Sequence, residues 1–140
     1  MIKKVPLLLL IIACISACSS NKQKNGCGTQ TCTTEYAYIG IAFKDKQNKP
    51  AQVKDIKMIN LRTNKPLAPV KYPPNVDIFT GYIYIAADEN IKDFSTDGDD
   101  VSITATSSET NQTKTAVLKI AGGCSCHISK KSGPDTVTFD

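Results

Sequence analysis

Short runs in which every second residue is apolar, each closed by a polar turn, constrain this chain more than any other feature. In residues 35–43, Ala37, Ile39, Ile41 and Phe43 share one parity, and Tyr36, Tyr38 and Gly40 take the other. Successive side chains of a strand point to opposite sides of the pleat, so parity is a face. The same alternation sets Ile83 and Ile85 against Tyr82 and Tyr84 in residues 78–86, and Val101, Ile103 and Ala105 against Ser102 and Thr104. It recurs with Ala116, Leu118 and Ile120 against Val117 and Lys119, and with Val137 and Phe139 near the end. From Val53 to Leu61 the phase slips: Ile56 and Met58 share one parity, Ile59 and Leu61 the other. A bulge, or a strand crossing between sheets, is predicted there. Turns are read at residues 44–50 (KDKQNKP), 63–66 and 107–113 and at Gly122-Gly123. The run through Pro66, Pro69, Pro73 and Pro74 predicts an extended loop, and residues 88–100 an acidic, turn-like stretch. No segment carries a long helical repeat. Strands with one apolar face each must bury it sheet against sheet. The expected fold class is therefore all-β, an antiparallel β-sandwich of about seven strands.

The N-terminus speaks of address. Lys3 and Lys4 precede an apolar run from Val5 to Ala13, and small residues follow. That is the layout of a secretory signal peptide. The run is too short to span a bilayer of about 30 Å, which takes roughly 20 residues. Ile15-Ser16-Ala17-Cys18 resembles the lipobox of bacterial lipoproteins. In that family the cysteine is diacylated, with palmitate or a similar chain, the leader is cut just before it, and the new amino group usually gains a further chain. The resemblance makes residues 1–17 the signal peptide and Cys18 the lipidation site; two or more acyl chains hold a protein firmly to a membrane. Residues 18–32 are read as the lipidated N-terminus and tether, and residues 33–140 as the β-sandwich domain. Ser19 to Asn25 is polar, as a tether requires. Surface-exported lipoproteins of the Bacteroidota resemble one another in acidic residues soon after the acylated cysteine, and Ser19-Ser20-Asn21-Lys22 has none. The expected place is the outer membrane, facing the periplasm.

The whole chain of 140 residues has a formal charge of +4, and two of its lysines leave with the leader. The remainder is close to neutral, which gives no sign of a nucleic-acid partner. About 120 residues make one ordinary domain.

A second resemblance covers about half of the mature chain. Residues 39–67, IGIAFKDKQNKPAQVKDIKMINLRTNKPL, look like the opening of carboxypeptidase-regulatory-like, transthyretin-like domains. Gly81-Tyr82-Ile83-Tyr84-Ile85 sits where that family has its next strand, and residues 97–105, DGDDVSITA, resemble a later one. The ending GGCSCHISKKSGPDTV looks like that of small lipoproteins of the Bacteroidota. The resemblance implies a seven-stranded sandwich, transthyretin-like or Ig-like, without catalytic residues or cofactors, because such domains usually assist or bind.

Four cysteines remain in the mature domain: Cys27, Cys32, Cys124 and Cys126. Outside the cytoplasm disulfides persist. Two bridges pinning the N-terminal segment to the C-terminal end are expected, and sequence leaves three pairings open. If the segments run antiparallel, Cys27–Cys126 and Cys32–Cys124 would nest. The alternative is a soft-metal or thiol-redox site built from Cys124, Cys126 and His127. Its C-x-C spacing is not that of common zinc sites. His127, the single histidine, shows no readable nucleophile or orienting carboxylate beside it, so no triad is expected. Asp88, Glu89, Asp93, Asp97, Asp99 and Asp100 crowd one segment, but their spacing matches no EF-hand loop, and solvated turns are the expectation. Tyr36, Tyr38, Tyr82 and Tyr84 lie opposite the aliphatic faces of their strands. If those strands are neighbours, the rings form an exposed patch able to bind an envelope protein or a glycan. The function expected is thus non-enzymatic: a membrane-anchored binding or structural module of the cell envelope.

Overall fold

Burial follows the parity read from the sequence. A computed structural model describes residues 27–68, 70 and 81–140. The leader, Cys18, the polar stretch as far as residue 26, Pro69, Pro73, Pro74 and residues 78–80 lie outside the described residues. Eight strands are seen among those described. They are β1 (Tyr38–Lys44), β2 (Val53–Asn60), β3 (Lys65–Pro66), β4 (Tyr82–Ala87), β5 (Asp99–Ser107), β6 (Thr113–Ala121), β7 (Ser129–Ser132) and β8 (Thr136–Thr138). One sheet has the order β4-β1-β8, the other β3-β2-β5-β6-β7. Their apolar faces meet in one core. Ile39, Ile41, Phe43, Ile85 and Phe139 come from one side, and Val101, Ile103, Leu118 and Ile120 from the other. Phe43 and Phe139 stack with centroids 5.9 Å apart.

The fold is an open two-sheet β-sandwich, as the alternation requires, with details the pattern did not carry. The chain's ends meet in a parallel pair, Ala42 opposite Thr136 through Lys44 opposite Thr138, so the sandwich is not wholly antiparallel. β2 does carry a one-residue bulge, but upstream of the phase change: Lys54 faces Thr106 and Lys57 faces Thr104, whereas Met58 and Ile59 face Ile103 and Ser102 in unbroken register. Asp55 within the bulge takes a positive φ of 52°. The bulge and the charged Lys54, Asp55 and Lys57 also blunt a strand close to the sheet edge. Residues 88–100 are partly ordered structure rather than a simple turn. Asp88–Asp93 form a 3₁₀ helix, and Asp99 and Asp100 already belong to β5.

Asp99 fastens that segment. Its side chain is 1% exposed and accepts from Arg62 Nε at 2.6 Å, Ser95 Oγ at 2.6 Å and Asn60 Nδ2 at 2.8 Å. Burial opposes its charge, but these donors and the Ser95 N–H outweigh it and hold the carboxyl well below the usual carboxylate range.

Candidate functional site: a disulfide-held strap beside a row of tyrosines

Residues 27–36 form a strap, exposed along its whole length, that crosses the turn joining β6 to β7 before β1 begins. Disulfides join Cys27 to Cys124 and Cys32 to Cys126, with Cα atoms 5.0 and 5.3 Å apart. The nested pairing expected from an antiparallel approach is corrected. The strap runs in the same chain direction as residues 124–126, so the first cysteine meets the first and the second the second. Cys124 and Cys126 sit in a turn, not on a strand. The turn is pressed onto the 3₁₀ segment. Gly123 N–H donates to Ile91 O at 2.7 Å, and Cys124 N–H to Thr96 Oγ1 at 3.2 Å. A Cβ on Gly122 would lie 2.4 Å from Ile91 O, so only glycine fits.

His127 has partners that the sequence did not reveal. Its Nδ1 lies 2.7 Å from Asp88 Oδ2 and its Nε2 3.0 Å from Thr33 Oγ1. A carboxylate only accepts, so Nδ1 carries the proton; in the neutral ring Nε2 then accepts from the threonine hydroxyl. One neutral tautomer satisfies both contacts. Asp88 also accepts from the backbone N–H of Ala37 and of Ile128, both at 2.9 Å. Burial works against the Asp88 charge. The donors Ala37, His127 and Ile128 prevail and hold its carboxyl below the ordinary value. The aspartate thus ties strap, 3₁₀ helix and β7 entry at one point. Thr33 is 94 residues from His127 and Asp88 is 39. No local spacing rule links residues that far apart.

Order in the strap rests on its bridges. Fixing a backbone residue costs about 1–2 kcal/mol. Ten such residues outweigh the few hydrogen bonds from Thr33 and Tyr36, which are worth about 1 kcal/mol each. The bridges close loops of 97 and 94 residues. One such bridge contributes about 4 kcal/mol in the chain-entropy model, and the second adds less because it shares nearly the same loop.

Beside the strap lies the row of tyrosines. β1 and β4 are antiparallel neighbours, Gly40 opposite Tyr84 and Ala42 opposite Tyr82. Ring centroids are 4.9 Å apart for Tyr36–Tyr38, 5.4 Å for Tyr38–Tyr84 and 5.2 Å for Tyr84–Tyr82. The last two contacts are edge-on, the arrangement the ring quadrupole favours. Tyr36 and Tyr38 are 50% and 37% exposed, and Tyr82 and Tyr84 are half-buried. Gly40 is the floor: a Cβ there would lie 2.4 Å from Tyr82 Cε1 and 2.6 Å from Ile83 O. Burial first, then neighbouring tyrosines and carboxylates, push the Tyr38 and Tyr82 phenols up. Both therefore keep an O–H to donate at neutral pH. Glu89 acts on the Tyr38 end of the row and Asp135 on the Tyr82 end.

The alternative metal set of Cys124, Cys126 and His127 is not assembled. Both sulfurs are consumed in disulfides, and the histidine Nδ1 faces Asp88. Among the described residues no group of three or more histidine, cysteine or acidic side chains is placed to hold a metal ion. Two clefts lie elsewhere. One of about 480 Å³ runs between the β1–β2 and β5–β6 turns and the C-terminus. The other, of about 320 Å³, borders Arg62, Lys65 and Lys92. Among the described residues no helix is long and apolar enough to cross a membrane.

Comparison with protein-family models, with curated proteins and with solved structures yields no match for the chain.

Proposed function

We propose that this chain is a non-catalytic lipoprotein of the cell envelope. Acylated at Cys18 and facing the periplasm from the outer membrane, it would present the tyrosine row to a glycan. The carrying observation is the row itself: four rings in unbroken contact on the outer face of β1 and β4 and on the strap, seated on a glycine floor. A pyranose offers apolar C–H faces to aromatic rings and hydroxyl donors to flanking carboxylates. Glu89 and Asp135 supply such carboxylates, and the same negative charge disfavours a phosphate backbone. Titration of the full chain with the tetramer of β-1,4-linked N-acetylglucosamine tests the reading. Saturable binding, abolished in the quadruple Tyr→Ala variant at positions 36, 38, 82 and 84, supports it. Binding that survives that variant, or none by the folded wild type, refutes it. Palmitate incorporation that disappears in Cys18→Ala tests the anchor separately.

A second reading has its own observation. Thr33, His127 and Asp88 stand in the order hydroxyl, imidazole, carboxylate, which in hydrolases activates a nucleophile. The binding reading is preferred because Asp88 also holds the Ala37 and Ile128 N–H groups, which makes the set a fastening for the strap. Covalent labelling of Thr33 by a fluorophosphonate would reverse that preference.

A further inference from the structure

We propose that the strap is a redox-operated latch. Its two disulfides seat Tyr36 at the end of the tyrosine row, and their reduction by a dithiol unseats it. In its effect on ligand the inference rests on the binding reading above; the latch itself does not.

Three observations meet here. First, the sulfurs are within reach: Cys27 and Cys32 are exposed, and Cys124 and Cys126 are half-buried. Second, the strap's other fastenings are few. Thr33 donates to His127, the Tyr36 hydroxyl accepts from Glu89 N–H at 3.1 Å, and the Tyr36 ring rests on Tyr38. Third, there is a built stop. Ala37 exchanges two hydrogen bonds with Asp88, N–H to Oδ2 at 2.9 Å and carbonyl from the Asp88 N–H at 3.2 Å. Ala37 is also packed against the core. Release that begins at the bridges therefore runs through residue 36 and halts at Ala37. The first residue of the row lies on the mobile side of that stop, and Tyr38, Tyr82 and Tyr84 lie on the fixed side.

The chemistry balances with one dithiol per bridge. A thiolate of the dithiol attacks the exposed sulfur of Cys32. The Cys32–Cys126 bond breaks, and Cys126 leaves as a thiolate that takes a proton from water. The second thiol of the dithiol resolves the mixed disulfide and frees Cys32 as a thiol. The dithiol becomes a disulfide, and the protein gains two electrons and two protons. The Cys27–Cys124 bridge reacts in the same way.

The experiment compares the oxidised full chain, the same chain reduced with dithiothreitol, and a variant with all four of these cysteines changed to serine. Cleavage after Glu35 is read with the Glu-C protease, hydrogen exchange is read at Ala37 and along β5 and β6, nitration is read at Tyr36, and binding is read with the N-acetylglucosamine tetramer. Reduction is expected to speed Glu-C cleavage after Glu35 and nitration of Tyr36, while Ala37 and the β5–β6 amides still exchange far more slowly than in the unfolded chain. Affinity should weaken by about three- to tenfold, the loss of one ring contact. Tyr36→Ala in the oxidised chain should weaken it equally. Glu-C cleavage after Glu35 and nitration of Tyr36 that are unchanged by reduction overturn the latch. So does β5–β6 exchange at unfolded-chain rates, beyond the fall that the lower unfolding free energy brings, which would make the bridges essential to the whole fold. Release of Tyr36 with affinity unchanged, while Tyr82→Ala abolishes binding, overturns the coupling and leaves the binding reading intact. If the oxidised chain binds no oligosaccharide, the binding reading fails alone, and cleavage, nitration and exchange decide the latch.

Discussion

Asp88→Asn removes one charge and almost no volume, and the geometry sets its cost. Oδ1 of Asp88 accepts from Ile128 N–H, and Oδ2 accepts from both Ala37 N–H and His127 Nδ1. An asparagine has one acceptor oxygen and a two-proton donor. If its oxygen stays with Ile128, its amide nitrogen faces Ala37 N–H and the imidazole. The imidazole adapts, because moving its proton to Nε2 lets Nδ1 accept from the amide and Nε2 donate to Thr33. The backbone N–H of Ala37 has no such freedom. Turning the amide over only transfers the conflict to Ile128. The Asp88 side chain is 14% exposed, so water offers little relief. One hydrogen bond to a charged acceptor is lost, and a buried donor is left facing a donor; together these cost about 2–4 kcal/mol.

Urea unfolding at pH 7 followed by circular dichroism measures that loss as a lower midpoint at unchanged slope. Hydrogen exchange locates it at Ala37. The pH dependence has a definite sign. Asp88's folded carboxyl titrates below the unfolded value of about 3.9. Its contribution is therefore complete above that value and is lost as pH falls through the folded pKa. The gap between wild type and Asp88→Asn should narrow below about pH 4. A variant within about 0.5 kcal/mol of wild type with Ala37 still protected, or a gap that widens in acid, would refute the reasoning.

Other perturbations follow from the same contacts. Gly40→Ala should drive the Tyr82 ring off β1 and strain the β1–β4 pairing at Ile83 O, costing about 1–3 kcal/mol, read in a thermal melt and in the near-ultraviolet tyrosine signal. Asp99→Ala strands the Ser95 N–H and one donor of the buried Asn60 amide, and should cost about 2–4 kcal/mol at neutral pH by urea unfolding. That difference should also shrink in acid, because the folded carboxyl of Asp99 titrates far below its unfolded value. The four-serine variant should lose about 4 kcal/mol or more of unfolding free energy, yet keep the β-sheet circular dichroism of wild type.

What could be read without coordinates was whatever two neighbouring residues settle between themselves. Ile39, Ile41 and Phe43 announce a buried face because parity is local; the change of phase from Met58 to Ile59 did not place the bulge, which lies upstream between Lys54 and Lys57. Tyr38 and Tyr84 could be given faces but not partners; their contact required β1 beside β4. β7 escaped because Ser129–Ser132, SKKS, has no apolar residue and is an edge strand held by its ladder to β6. The parallel β1–β8 pair and the order of the disulfides escaped for another reason. Each depends on the direction in which distant segments approach, and alternation reads the same in either direction. His127 was legible as a lone histidine, while its two partners arrive through the strap and the 3₁₀ helix.

That division explains why the strap is where function is sought. The strands β1, β4, β5 and β6 are specified twice, by their own alternation and by the core they bury. Residues 27–36 have neither: polar, exposed and without a ladder, they hold one path only because sulfur bonds and the His127–Asp88 fastening define it. A segment ordered this way is the easiest part of the molecule to disorder without loss of the core. It also lies between the proposed anchor at Cys18 and the first residue of the tyrosine row. With the bridges closed, a pull on the lipid reaches the body through Cys27 and the β6–β7 turn, and β1 is not loaded. With them open, the same pull reaches Ala37 and the start of β1 directly. On the proposed reading the disulfides would separate the tether from the tyrosine row, which a free N-terminal extension leading straight into β1 could not do.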